Sequence, residues 1–385
     1  MRAAATWALA LAVGVGLAGC SALDAINPFS SSKTKVKPAE LTPIPGGTEP
    51  AARWQASIGP AGEYVLTPAI VGDSIYAAAR DGSIARFDAG RQVWRIAAGR
   101  TISGGVGSDG KLVVVGTPKG EVLAFNADSG AAVWQATVSS EVLAAPLVGG
   151  EFVAVRSGDS NIAALDAKDG KRRWNYQRTV PGLSLRGNAG VITWSGRGLL
   201  AGFPGGKLIA IAANNGATVW EGTVALPKGA TELERVADVT GLPVSDGHQV
   251  CAAAYQGRVA CFDVATGSAL WSREISASAG IDMDKRYVYV SDDKGAVHAL
   301  DRSNGASVWK QDKLANRGLS RPLALGSLVV VGDAQGYVHL LRGEDGSFAG
   351  RRATDGSAIA ADPQHIGEDF AVQTRSGGLY AFAAR

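Results

Sequence analysis

The chain has 385 residues, with 38 Lys and Arg against 35 Asp and Glu and a formal charge of +3. That near balance, without a basic stripe, argues against a nucleic-acid partner. Length alone would suggest two or three domains, but a strong internal repeat overrides that in favour of one ring, and 51 glycines suit its many tight turns rather than disorder.

Met1 and Arg2 give a short positive start, and residues 3–19 carry no charge and are rich in Ala and Gly. Such a run is short for a membrane span and fits a signal peptide. It ends in Leu17-Ala18-Gly19-Cys20. Placed directly after the apolar run, this tetrad resembles the bacterial lipobox. The resemblance implies cleavage before Cys20 and diacylation of its sulfur, so that acyl chains rather than a spanning helix anchor the mature chain. In such lipoproteins an Asp after the Cys implies inner-membrane retention; Ser21 therefore implies the outer membrane. Residues 1–19 are thus read as the signal peptide. Residues 20–49 hold Pro, Ser and Lys without a sustained apolar period and read as a flexible tether. The folded domain is expected over 50–385.

Within that domain one sentence recurs. GEVLAFNADSGAAVW runs from Gly120 to Trp134, and related stretches start at Gly82, Asn161, Gly206, Gly257 and Gly295. A worn copy starts at Gly336, with Phe348 read in place of the tryptophan, and a half copy starts at Gly377. Tryptophans fall at 54, 94, 134, 174, 220, 271 and 309. A period of about 40 residues with several short strands per unit is the mark of a β-propeller. The expected fold is all-β: eight blades of four antiparallel strands, the last completed by the N-terminal strand around Trp54. Such closure removes exposed sheet edges. In the second full unit the strands are expected near 104–106 and at 112–117, 122–126 and 132–137. The repeated Trp is expected to cover the glycine turn of the neighbouring blade, as core rather than as a cofactor box.

The repeat stretches twice, in adjacent units. Trp174 to Trp220 is 46 residues and Trp220 to Trp271 is 51. The excess is assigned to connections 177–190 and 223–243, which share one face of the disc. Long loops on a rigid scaffold are where function concentrates. In the second, Thr231-Glu232-Leu233-Glu234 has a capping-box pattern, so a short helix is expected. In the first, Leu183, Leu185 and Arg186 combine apolar anchors with a planar fork for a carboxylate, a protein-binding pattern; the alternative is that the leucines tuck into the rim. Asp238 is the candidate to orient Arg186 by a bidentate pair.

Cys251 and Cys261 flank the turn at 255–258. One strand register makes them cross-strand neighbours, and an exported chain meets an oxidising compartment that permits a disulfide. A register one residue different leaves them as buried thiols on opposite faces. Catalytic and metal constellations are not seen. His248, His298, His339 and His365 are scattered, no Cys-x-x-Cys occurs and no nucleophile elbow is present.

The repeat, as in Ala265-Thr266-Gly267 through Trp271, resembles the repeats of quinoprotein alcohol dehydrogenases. The lipobox, the tether, the eight units, the loop Pro181-Gly182-Leu183-Ser184-Leu185-Arg186-Gly187 and the segment 234–239 together resemble the BamB family, lipoproteins of the outer-membrane β-barrel assembly machinery. The resemblance spans the whole chain. It implies a scaffold that is not an enzyme and needs no cofactor, and that sits at the periplasmic face of the outer membrane of a Gram-negative bacterium. It implies that Leu183, Leu185 and Arg186 bind the periplasmic (POTRA) domains of BamA, supported by an acidic pair in the second loop. Asp238 matches the first acid. Thr240 falls at the second, a departure from the family pattern. Unfolded outer-membrane proteins adding strands at blade edges are a further expected partner. Two other readings compete. A quinone-dependent dehydrogenase would want a calcium site and adjacent cysteines. A glycan- or peptidoglycan-binding propeller would want exposed aromatics, and only Trp7 and Trp194 lie outside the repeat.

Overall fold

The structure, a computed structural model, describes residues 37–384. Cys20, the signal-peptide reading and the first part of the tether lie outside the described residues. From Pro38 onward the chain forms one unit of eight four-stranded antiparallel sheets, with no helix among the described residues. Seven sheets take their strands in sequence order. The eighth has Ala52–Ser57 as its outer strand, hydrogen-bonded to Gly378–Phe382 from the C-terminus. Blades are numbered here in chain order, with this composite as blade 8.

Blade 2 shows how the sequence builds each unit. Its strands are Gly107–Ser108, Leu112–Gly116, Glu121–Asn126 and Ala132–Thr137. The innermost strand is shorter and later than the sequence suggested, because Gly104 and Gly105 press against backbone of neighbouring blades and leave no room for side chains. The two middle strands are apolar on both faces: Val114, Val122 and Ala124 meet Val153, Val155 and Leu165 of blade 3. The core is therefore a set of apolar layers between blades, and no blade could bury its faces alone.

The Trp–Gly pairing is the stitch between these layers. Trp134 donates its indole N–H to the Ala167 carbonyl at 2.8 Å, and its ring covers Gly170. Gly170 has φ +71°, and a methyl there would lie 2.7 Å from the indole. Only glycine meets both demands, the left-handed turn and the close ring. Trp94, Trp174, Trp220, Trp271 and Trp309 make the same indole bond to the next blade, at 2.8 to 3.0 Å. At each of these tryptophans the outer strand carries a β-bulge, which skips the preceding residue in the register. In five blades that skipped residue is an exposed Val or Leu: Val93, Val133, Val219, Leu270 and Val308.

Blade 7 departs from this plan. Its register pairs Leu340 with Gly350 and Leu341 with Phe348, so Gly350, not Phe348, stands where the other blades carry Trp. The vacated space is filled by the chain itself. Residues 38–50, of which 38–49 were expected as part of a flexible tether, dock as a strap along blades 6 and 7. Ala39 donates to the Ala315 carbonyl and Thr48 to the carbonyl of the bulge residue Ala349, each at 2.9 Å. Leu41 packs into the layer between blades 6 and 7. A methyl on Gly350 would collide with the Thr48 carbonyl. Beneath the strap lies a buried polar chain. Arg317 donates to Asp333 at 2.6 Å and to the Ala39 carbonyl at 2.9 Å, His339 pairs with the same Asp333 oxygen at 2.9 Å, and Arg351 reaches the Thr42 carbonyl.

The register places Cys251 directly opposite Cys261, and the two form a disulfide with both residues fully buried. Of the two registers open to the sequence, this is the bonded one.

Candidate functional site

Connection 177–190 leaves blade 3 after Arg172–Tyr176 and enters blade 4 at Val191–Trp194. The next long connection runs from the end of Thr218–Thr223 to Val244–Ser245. Both lie on the face that carries the turns between second and third strands, here called the loop face. They grip the blade 4 turn at 203–207 from either side: Pro181 lies against Gly205, while Val224 and Ala225 donate to the Gly206 carbonyl.

Leu183 and Leu185 are 40% and 39% exposed, so they project from the rim rather than tuck into it. Arg186 is exposed beside them. The structure corrects the expected Arg186–Asp238 pair. Asp238 is buried, and its carboxylate accepts the Leu185 N–H at 2.6 Å and the Gly205 N–H at 3.0 Å. It ties the loop backbone to the blade 4 turn and leaves the arginine head free of it. Charge-assisted bonds of this kind are among the stronger local restraints available. Arg186 instead donates from Nε to Glu141 at 3.4 Å, across to the connection between blades 2 and 3. A hydrogen bond from Ser140, together with Arg186, holds the Glu141 carboxyl below its usual range.

Thr240, where the resemblance led us to expect an acid, supports the loop differently. Its hydroxyl donates to the Ser278 carbonyl at 2.9 Å, and its side chain lies under Gly187. The capping box forms, with Glu234 N–H on the Thr231 hydroxyl and Thr231 N–H on the Glu234 carboxylate. The expected helix does not follow: residues 231–235 make a single hydrogen-bonded turn, because 223–243 must span two blades and no apolar face is available to hold more turns.

Four contributors were missed from sequence. Glu141 sits in a connection of ordinary length and gave no signal. Leu226 and Leu233, 64% and 71% exposed, extend the apolar character of the loop face. Arg156 had a readable signal: the matching positions in blades 1, 2 and 4 to 7 are Ala78, Gly116, Gly202, Ala253, Ser291 and Gly332, all small, and only blade 8 carries another large polar residue, Gln373. Arg156 is buried beneath the 183–187 segment, stacks on the Phe203 ring at 4.7 Å and donates to the Gly202 carbonyl. Burial pulls its guanidinium down to about 10, with Asp238 opposing the change.

Eight blades, the Trp-over-Gly stitch and the loop cluster define a propeller of the type built from quinoprotein-like repeats. A family model described as "Outer membrane protein assembly factor BamB" matches residues 80–311. Proteins of that name are 43% identical in Bordetella pertussis, over 95% of this chain and 95% of the relative, and 41% identical in Burkholderia pseudomallei, over 100% and 99%. The crystal structure of BamB from Moraxella catarrhalis superposes with a TM-score of 0.81 at 30% identity, covering 87% of this chain and 99% of that one. The chain belongs to the BamB family. A quinohemoprotein alcohol dehydrogenase from Comamonas testosteroni, at 13% identity and a TM-score of 0.68 over 86% of this chain and 76% of that one, shares the fold alone. Family membership places the chain with assembly factors and not with enzymes.

Proposed function

We propose that the chain is a non-enzymatic scaffold of outer-membrane protein assembly, docking onto the periplasmic POTRA domains of BamA through Leu183, Leu185 and Arg186 and so assisting the insertion of barrel proteins. The single observation that carries this reading is the loop 177–190. It presents two half-exposed leucines and an arginine outward while Asp238 holds its backbone from below. Exposed apolar anchors on a restrained loop lose little entropy on binding, which is what a hot spot requires. The family name supports the wider role. The N-terminal sequence supports an anchor at Cys20, and with it the periplasmic face of the outer membrane. The domain reading follows: signal peptide 1–19, lipidated tether from Cys20, and a propeller whose strap begins at Pro38.

The test is binding of the full-length chain, purified in detergent micelles, to the periplasmic part of BamA. Arg186→Glu and Leu185→Glu are compared with the parent after circular dichroism confirms folding. Binding by the parent and loss of at least about tenfold in both variants is the expected result. No binding by the parent sinks the reading. Mass spectrometry of the mature N-terminus, with Cys20→Ala as control, checks the anchor.

A further inference from the structure

Arg156 is 9% exposed, yet most of its hydrogen-bonding capacity is unused. Among the described residues, Nη1 donates to the Gly202 carbonyl and the other two guanidinium nitrogens have no protein acceptor. A single inter-blade bond does not require an arginine. Gln373, at the matching position of blade 8, makes the same bond to the Ala78 carbonyl of blade 1 through its amide. Beyond its stacking on Phe203, the arginine therefore brings spare donors that the inter-blade bond does not use. They face a cavity of about 40 Å³ bounded by Ser157, Ser184, Leu185, Arg186 and Asp238. That is room for a small polar group. A guanidinium fork matches a carboxylate in shape.

Asp238 is the acid already present, and both its oxygens are spent on the Leu185 and Gly205 N–H groups. It forms no ion pair with Arg156 within 4 Å. Glu141 is likewise spent, on Ser140 and Arg186. Neither can fill the cavity without giving up the loop's own restraints.

We propose that this cavity is a receiving pocket for one carboxylate side chain of the docked partner, with Arg156 at its floor and Leu185 and Arg186 at its lip. The pocket rests on the docking function proposed above and supplies its polar specificity: apolar contact on the loop, and one buried acid beneath it. The acid is an Asp or Glu on the POTRA surface.

Two measurements test this separately. In the first, 15N-labelled full-length chain is titrated with acetate, and with chloride at equal ionic strength. The Arg156 Nε–H resonance, identified by its loss in Arg156→Gln, is followed. A saturable shift with acetate alone is expected; no shift, or equal shifts with both anions, overturns the pocket whatever the partner is. In the second, binding to the BamA periplasmic part is compared for the parent and for Arg156→Gln, which keeps the inter-blade bond on the pattern of Gln373. A loss of at least about tenfold is expected. Neutralising each exposed POTRA acid in turn should find one whose effect is silent in the Arg156→Gln background, the mark of direct pairing. Equal binding by both forms, or no silent acid, overturns the assignment to this partner. Binding by the parent with loss only in the Arg186→Glu chain would keep the docking function and reject the pocket, whereas a parent that does not bind rejects the docking function itself.

Discussion

The repeat breaks in two places, around blade 4 and at blade 7, and the breaks do opposite things. Around blade 4 extra residues turn apolar and charged side chains outward: Leu183, Leu185, Leu226 and Leu233 stand in solvent. At blade 7 the departure is a missing indole, and the chain's own residues 38–50 fill the place, with Arg317 and Arg351 holding strap carbonyls. An irregularity in a repeat protein is thus no sign of function by itself. What separates the two is whether the irregular segment consumes its own side chains in packing or leaves them unpaired at the surface.

The contrast can be broken by substitution. The largest effect is expected from Asp238→Ala. It orphans two backbone N–H groups at once, so thermal unfolding should report a loss of about 3 kcal/mol, and BamA binding should fall with it. A chain that keeps full stability and full binding would mean the loop is not restrained as described. Gly350→Val is the counterpart at blade 7. It should displace the strap, cost about 2 kcal/mol and expose 38–50 to limited proteolysis, while BamA binding stays unchanged. Loss of binding there would erase the distinction between the two sites.

The strap seat should also respond to pH. Burial lowers the pKa of His339 from its ordinary 6.5, against the pull of Asp333. Desolvation notwithstanding, hydrogen bonds from His339 and others hold the Asp333 carboxyl below its usual value. Both groups bind fewer protons folded than unfolded, so stability is full above pH 6.5 and is lost as pH falls. Chemical denaturation between pH 7 and pH 5 should show this slope, and His339→Gln should flatten its upper part. The smallest effect is expected from Thr240→Val, which removes one hydroxyl bond to Ser278 and should cost about 1 kcal/mol, with binding weakened only slightly.

Much of this architecture was legible. Trp at intervals of 40 dictates blades, because a ring that covers the next blade's glycine must recur once per blade. The ring closure was legible for the same reason, since Trp54 precedes any unit of its own. The strap was not. Residues 38–50 have no apolar period, and their seat is assembled from blades 6 and 7, 278 to 309 residues away. The clue was Gly350, which the spacing places at the indole position and which Phe348, two residues earlier, obscured. Leu183, Leu185 and Arg186 could be read because their loop breaks the period. Glu141 could not, because partners supplied by a neighbouring connection leave no mark on local sequence. Asp238 was found but given the wrong partner, since sequence reasoning pairs charges and overlooks backbone N–H groups as acceptors' partners.

The strap also fixes where the described chain enters the disc. It meets the disc at Ala39, against the connection between blades 6 and 7, on the same face as the 177–190 loop. Seventeen residues separate Cys20 from Pro38, a maximum reach of about 60 Å whatever their conformation. With the proposed lipid at Cys20, the attachment point would lie on the same face as the proposed docking loop. A tether bounded in this way would raise the effective concentration of the loop face for any membrane-bound partner.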